Sequence, residues 1–248
     1  RGRVLALWFM AFGGLIPFGN MFFGPLIDRY GSRGMLFISS ATALFLAWHC
    51  DITALDKKQS MIAYRQTEAF IQLSNLMPFK SAIPPTRSWA ASPDLLLLIS
   101  ETVKKNKPAL VVELGSGVST LVCAKSGARK VISIDNSEQY GGKTRDLLKE
   151  HKVRGVEIRI APLRPYANGS EWYEVSALKE LKKIDLLIVD GPPGSKNPEA
   201  RYPALREFKD KLSAKAIVII DDVNRDGERK LAEDFAKALP NHTLTILD

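Results

Sequence analysis

Four short apolar runs in this sequence carry an acid at or near their ends. Leu110–Leu114 holds Glu113, Val131–Asp135 ends on Asp135, Ile184–Asp190 on Asp190, and Ala216–Asp221 on Asp221, with Asp222 next. A carboxylate in such a place can accept from a sugar hydroxyl, hold a cation, or take up a proton. Buried or clustered carboxylates are costly unless donors, cations or a metal meet them. One strand-end acid is ordinary; four would line a single edge, provided the runs are neighbouring strands. Glu113 is followed by Leu114 and then Gly115-Ser116-Gly117-Val118-Ser119-Thr120. The glycines let backbone approach a ligand where a Cβ would obstruct it. A strand feeding such a turn and then a helix brings N–H groups to the sheet's carboxyl edge, where open α/β sheets bind ligands.

The elements needed to place these acids are present in the sequence. From Ala109 onward, strands are expected at Leu110–Leu114, Val131–Asp135, Val156–Ala161, Ile184–Asp190 and Ala216–Asp221, with Thr243–Leu247 beginning another. Helices are expected at Ser119–Ser126, Ser137–His151, Pro198–Leu212 and Asp226–Leu239. Strand cores such as Leu-Leu-Ile-Val and Ile-Val-Ile-Ile are continuous apolar runs, as in strands covered on both faces. Alternating strands and helices specify an α/β fold, a Rossmann-like doubly wound and mostly parallel sheet. Ahead of it, Ser92-Pro93-Asp94 reads as a helix start and Pro108 as its stop. The sequence stops at Asp248, so a last hairpin at the sheet edge is expected to be missing.

Composition restricts the function. Hydrophobic residues make up 46% and charged residues 25%, ordinary for a globular protein. The net charge is +8, but residues 84–248 hold 27 Lys/Arg against 23 Asp/Glu. With no basic run interleaved with aromatics, nothing points to nucleic acid. Cys50 and Cys123 are far apart and form neither a metal spacing nor a disulfide framework, which suits a reducing compartment.

The first 50 residues differ in kind. Val4–Ile27 and Met35–His49 contain no Asp, Glu, Lys or Arg, and Asp28–Gly34 between them is polar. Val4–Ile27 is long enough to cross a bilayer, which takes roughly 20 apolar residues. The expectation is a transmembrane hairpin over residues 1–50, with both ends on the cytoplasmic side from the placement of Arg1, Arg3, Lys57 and Lys58. A connector follows over 51–83, and the domain boundary is expected near Ser81–Pro85. Gly24-Pro25-Leu26-Ile27-Asp28-Arg29-Tyr30-Gly31 resembles a motif of the major facilitator superfamily. That resemblance implies the last two membrane helices of a transporter, here an anchor or fusion remnant without transport activity.

Asp135 lies 22 positions after Glu113, the spacing at which a second-strand acid reaches a ribose diol. NAD would also satisfy that spacing. Against NAD stand Glu113 itself, Thr120 where G-x-G-x-x-G requires its third glycine, and the lack of a dehydrogenase substrate signature. With these residues in view, the region from about 84 to 248 resembles the class I S-adenosylmethionine-dependent methyltransferases. The resemblance implies that Gly115 and Gly117 pass close to the methionine moiety, that Glu113 helps hold its cationic end, that Asp135 takes the ribose hydroxyls, and that the Ala161-Pro162-Leu163 turn flanks the adenine. Ser116, Ser119, Asn136 and Asp190 are expected in the same cofactor site, with Asp190 facing the methyl group. A narrower likeness, to the catechol O-methyltransferase type, implies a divalent cation such as Mg²⁺ on Asp190, Asp221 and Asp222.

The expected activity is methyl transfer, most simply to a hydroxyl of a small molecule or envelope precursor at the cytoplasmic membrane face, with Asp190 as base or metal ligand. Without the hairpin the location would be cytoplasmic. An NAD-dependent oxidoreductase and a non-catalytic nucleotide-binding remnant are the alternatives. Trp172-Tyr173 is read as a substrate wall or a core pair, Trp89 as core or lid, and His151 as a helix-end cation. Oligomeric state is left open.

Overall fold

The computed structural model describes residues 24–31, 33–34, 36–38, 40–47, 52–86, 89–167, 169–194 and 197–247. The chain divides into two compact units, Arg1–Ile62 and Ala63–Asp248. In the first, residues 24–47 are helical wherever described, and Gly31 takes a φ of +75°. Most of Val4–Ile27, the first of the two expected membrane helices, lies outside the described residues. Among those described, no helix is long and apolar enough to cross a membrane. At about 1.5 Å per residue, a helix over Met35–Cys50 would be shorter than the roughly 30 Å hydrocarbon layer. Among the described residues nothing supports the membrane hairpin, the transporter likeness or the membrane-face location.

The connector is a helix, α1 (Ile52–Leu76), whose later part belongs to the second unit. There Leu73 and Met77 are buried in the core. The boundary expected near Ser81–Pro85 thus gives way to one at Ala63, because this helix has apolar side chains to bury against the sheet's helices. The next helix, α2 (Pro93–Asn106), starts at Ser92 as expected, though its capping differs. The Ser92 hydroxyl donates to Asp94 Oδ1 at 2.5 Å, and that oxygen accepts from Leu95 N at 2.9 Å.

The sheet is built from β1 (Leu110–Leu114), β2 (Lys130–Asp135), β3 (Val156–Ile160), β6 (Ile184–Val189) and β7 (Leu212–Ile220). Its order is β3-β2-β1-β6-β7, all parallel. Helices α3 (Val118–Lys125), α4 (Glu138–Glu150), α5 (Pro203–Phe208) and α6 (Asp226–Ala238) connect and cover it. Alternation along the strands separates two cores. Val111, Val131, Leu186 and Ile188 pack with α1, α2, α3 and α4, while Val112, Leu114, Ile132 and Leu187 pack with α5 and α6. Strand order reverses at β1, which sends the chain outward in opposite directions from β1 and β6 and opens a crevice at their carboxyl ends.

Departures from expectation have local causes. Between β3 and β6 lies a small antiparallel pair, β4 (Leu163–Pro165) and β5 (Glu171–Tyr173), which the sequence pattern does not announce. It buries Trp172 and Tyr173 completely in the second core, so this pair is core and not a substrate wall. Trp89, at 73% exposed, is not core. The expected helix Pro198–Leu212 is a series of turns up to Tyr202, then α5, a 3₁₀ turn at Lys209–Lys211, and the start of β7. Pro203 fits only the first turn of a helix, which sets the start of α5. Thr243–Leu247 is not a strand, because a strand needs a hydrogen-bonded neighbour and this segment pairs with none among the described residues. His151 is buried, not a helix-end cation. Its Nδ1 accepts from Lys80 N at 3.3 Å, and desolvation, then Lys125 nearby, push it below the usual imidazole range.

One close approach supports the carboxyl edge from outside. Gly227, in the first turn of α6, lies so near the Pro198 carbonyl that a Cβ would overlap it. This contact seats the 198–202 turn against α6. Gly227→Ala should cost about 1–3 kcal/mol of stability through overpacking, measured by urea denaturation. An unchanged midpoint would show that the turn is not held there.

Candidate functional site

The carboxyl ends of β1, β2, β6 and β7 bring Glu113, Asp135, Asp190, Asp221 and Asp222 to one edge, as their strand-end positions require. The ladder continues past the strands. Gly115 N donates to Ile134 O at 2.8 Å, Asp190 N to Leu114 O at 3.2 Å, and Asp221 N to Val189 O at 3.1 Å. These bonds tie the loops together before any side chain contributes.

Glu113 lies beneath the glycine turn, fully buried. Parallel pairing sets it opposite Ser133. Its Oε2 accepts from Ser133 Oγ at 2.8 Å and from Thr120 Oγ1 at 2.5 Å, and the Thr120 hydroxyl in turn accepts from Gly117 N at 3.0 Å. Thr120 therefore does here what a third glycine does not: it couples the buried acid to the backbone at the start of α3. Desolvation raises the Glu113 carboxyl to about 7, against hydrogen bonds that favour the charged form. Its Oε1 is buried with no protein partner. The structure places this acid under the turn, where it shapes the ligand-facing backbone and is itself shielded from the crevice. Ser119, also buried, is in the first turn of α3 beside it.

Above Glu113, Gly115 has a φ of +94°, a left-handed value that favours glycine. A side chain on Gly117 would meet nothing within 4 Å, so this position faces open space. Asp135 grips the turn from β2. Its Oδ2 accepts from Ser116 N at 3.1 Å and Ser116 Oγ at 2.5 Å, and its Oδ1 from Ser137 N at 2.8 Å. A carboxylate has about four acceptor positions, so one remains for a ligand hydroxyl. Asn136 follows at the half-buried start of the next loop. Ala161 N donates to Asp135 O at 2.8 Å, and the exposed Pro162 and half-buried Leu163 then lead into β4. Gly115, Ser116, Gly117, Asp135 and Asn136 thus share one rim, Glu113 and Ser119 lie buried beneath it, and the Tyr173 hydroxyl, without a partner among the described residues, lies against Gly191.

At the ends of β6 and β7, Asp190, Asp221 and Asp222 offer oxygens within 4.8 Å of one another. Burial, then the Asp221 carboxylate, raises Asp190 to about 8; burial raises Asp221 as well. Each of these two carboxyl groups therefore holds a proton more readily than a solvated aspartate does.

A residue absent from the sequence-derived site dominates this cluster. Arg201 is the one Lys or Arg buried among the described residues. Its Nη2 lies 3.4 Å from Asp190 Oδ1, its Nη1 3.2 Å from Asp222 Oδ2, and its Nε 3.6 Å from Glu228 Oε1. It also donates to the Pro192 and Asp221 carbonyls, at 3.3 and 3.4 Å. The available signal was the acid count: four strand-end carboxylates demand a counter-charge, and Arg201 stands between apolar Ala200 and Tyr202. This arrangement does not suit a resident Mg²⁺. A divalent ion about 4 Å from a guanidinium meets a repulsion of roughly 8 kcal/mol at an effective dielectric of about 20, and Arg201 already engages one oxygen of Asp190 and one of Asp222.

Comparison with known proteins agrees with this geometry. Residues 112–223, from within β1 to just past β7, match a family model described as a methyltransferase domain. Among solved structures, the chain is similar to the SAH-bound methyltransferase PaMTH1 of Podospora anserina, at 17% identity. That match covers 77% of this chain and 88% of the other, with a TM-score of 0.50. It is also similar to a methyltransferase from Geobacter sulfurreducens, at 16% identity over 66% of this chain and 72% of that one, with a TM-score of 0.41. The first of these likenesses shows the fold; the family match adds the activity. No curated protein sequence matches. The segment that carries the acid-lined edge, residues 112–223, is a methyltransferase domain of the S-adenosylmethionine-dependent kind.

Proposed function

We propose that this domain methylates a hydroxyl of a small-molecule acceptor, with the cofactor on the Gly115–Asp135 side of the crevice and the acceptor on the Asp190 side. The observation that carries the reading is the division of the edge. The Gly115–Thr120 turn is braced from below by Glu113 and from the side by Asp135, while Asp190, whose backbone adjoins Gly115, belongs to a second cluster with Asp221 and Asp222.

Bound at that turn, S-adenosylmethionine supplies an activated methyl group on a sulfonium, which a nucleophile can take without covalent help from the protein. The chain's own residues then have two tasks. Gly115 and Gly117 present backbone without side chains, and Asp135 offers its remaining acceptor position to a ribose hydroxyl, which together fix the cofactor's orientation. Asp190, when ionised, accepts the acceptor's hydroxyl proton as the new bond to carbon forms. The edge's acidity supports a small-molecule acceptor over a nucleic acid backbone.

Calorimetric titration with S-adenosylhomocysteine tests the cofactor half. Binding to wild-type protein is expected, and NAD should not bind. Asp135→Asn should weaken S-adenosylhomocysteine by about 1 kcal/mol or more, with unchanged affinity removing Asp135 from the site. Binding of NAD alone would overturn the reading.

The brace itself predicts a pH dependence. Folded Glu113 keeps its proton up to about 7, whereas its ordinary value is 4.5. Between those values the folded state holds more protons than the unfolded one, so this group's contribution to stability falls as pH rises and levels off above about 7. Glu113→Gln retains an acceptor for Thr120 and Ser133 without the charge. Its stability relative to wild type should improve by roughly 3 kcal/mol across that window, read from urea denaturation at a series of pH values. Parallel curves for the two proteins would contradict the buried, proton-holding carboxyl.

A further inference from the structure

We propose that Arg201 is the resident cation of the acidic edge. Its guanidinium, in place of a divalent metal ion, positions Asp190 and Asp222 on the acceptor side of the crevice, and the domain works without a metal. The proposal rests on the preceding reading for the acceptor's location, while the chemistry of the cluster stands independently.

Three observations carry it. First, Arg201 reaches five groups with all three guanidinium nitrogens: the Asp190, Asp222 and Glu228 carboxylates and the Pro192 and Asp221 carbonyls. These belong to three separate segments, the loop after β6, the loop after β7, and the first turn of α6. Second, its side chain is only 6% exposed. It is therefore not a surface group swung inward, nor a direct contact for an acceptor. Third, the charges require it. Among the described residues, Glu228 is buried with no hydrogen bond to either oxygen, and the cations within 4 Å of it are Arg201 and the half-exposed Arg225. A buried carboxylate without a counter-charge would be strongly unfavourable.

The form of the side chain matters as much as its charge. A planar fork with donors in fixed directions can hold two carboxylates and two carbonyls at set positions, which a lysine's single ammonium cannot do. Mg²⁺ instead demands a near-octahedral shell of oxygens at about 2.0–2.1 Å, including several waters. The oxygens of Asp190 and Asp222 that face the guanidinium are not free to complete such a shell. Arg201 is thus a positioning residue, acting through the acids it orders.

Titration with MnCl2, followed by the electron paramagnetic resonance signal of free Mn²⁺, tests this directly. Wild-type protein should leave added Mn²⁺ free. Arg201→Met removes the guanidinium and keeps the bulk, so the exposed carboxylates should now bind Mn²⁺ at least about tenfold more tightly than wild type. Adding Asp222→Asn to that variant should abolish the gain. Arg201→Lys, which keeps a charge, should resemble wild type. Mn²⁺ binding by wild type that Asp222→Asn removes would overturn the proposal, as would a folded Arg201→Met protein that gains no binding. Should Arg201→Met fail to fold, the wild-type and Arg201→Lys titrations decide by the same criterion. S-adenosylhomocysteine titrated into each protein reports the cofactor half alone, so loss of that binding counts against the methyltransferase site and not against Arg201.

Discussion

A carboxylate with no access to water, Glu113, sits under the turn on which the rest of the site depends. Placing it there is expensive, and the cost is offset only because Ser133 and Thr120 both donate to it. Those two partners are not interchangeable with the rest of the core. Ser133 is its register partner on β2, and Thr120 links it to the amide of Gly117. The acid therefore fixes, at one point, the pairing of β1 with β2, the turn after β1, and the start of α3. The backbone that faces the crevice inherits its shape from this network. A role for Glu113 through the turn, and not through direct touch, accounts for a carboxylate being kept where a cofactor cannot reach it in this conformation.

The ends of β6 and β7 are organised by the reverse arrangement. Around the glycine turn, neutral donors surround an acid; around Arg201, acids surround a cation. Both devices serve the same geometric end, since parallel strands deliver their carboxyl ends side by side and leave unsatisfied groups at the loops. The sheet's switch in strand order opens the crevice between the two clusters. Gly227 contributes at a distance, because the close packing of α6 on Pro198 holds the turn from which Arg201 projects.

The parallel sheet was legible in the sequence because strands buried on both faces must be continuously apolar, as Leu186–Val189 and Ile217–Ile220 are. The position of each acid at its strand's end was legible for the same reason, and the cofactor-side residues came together on one rim. Arg201 was not, since its five partners come from segments that only the folded chain brings together, and a single arginine carries no periodicity. The β4–β5 pair was hidden by its three-residue strands, and Thr243–Leu247 reads as a strand only while pairing is ignored. The three acids gather at the edge where their strand ends put them, and the cation beside them is Arg201. Sequence shows which charges gather; it does not show which side chain from elsewhere neutralises them.

The account holds that one braced turn and its neighbouring strand ends form the cofactor seat. Hydrogen–deuterium exchange with and without S-adenosylhomocysteine tests that most directly. Slowed exchange at the amides of residues 115–120 and 135–137, flanking the crevice, is the predicted result. Protection confined instead to the separate cavity lined by Tyr166, Tyr202 and Arg206 would contradict it.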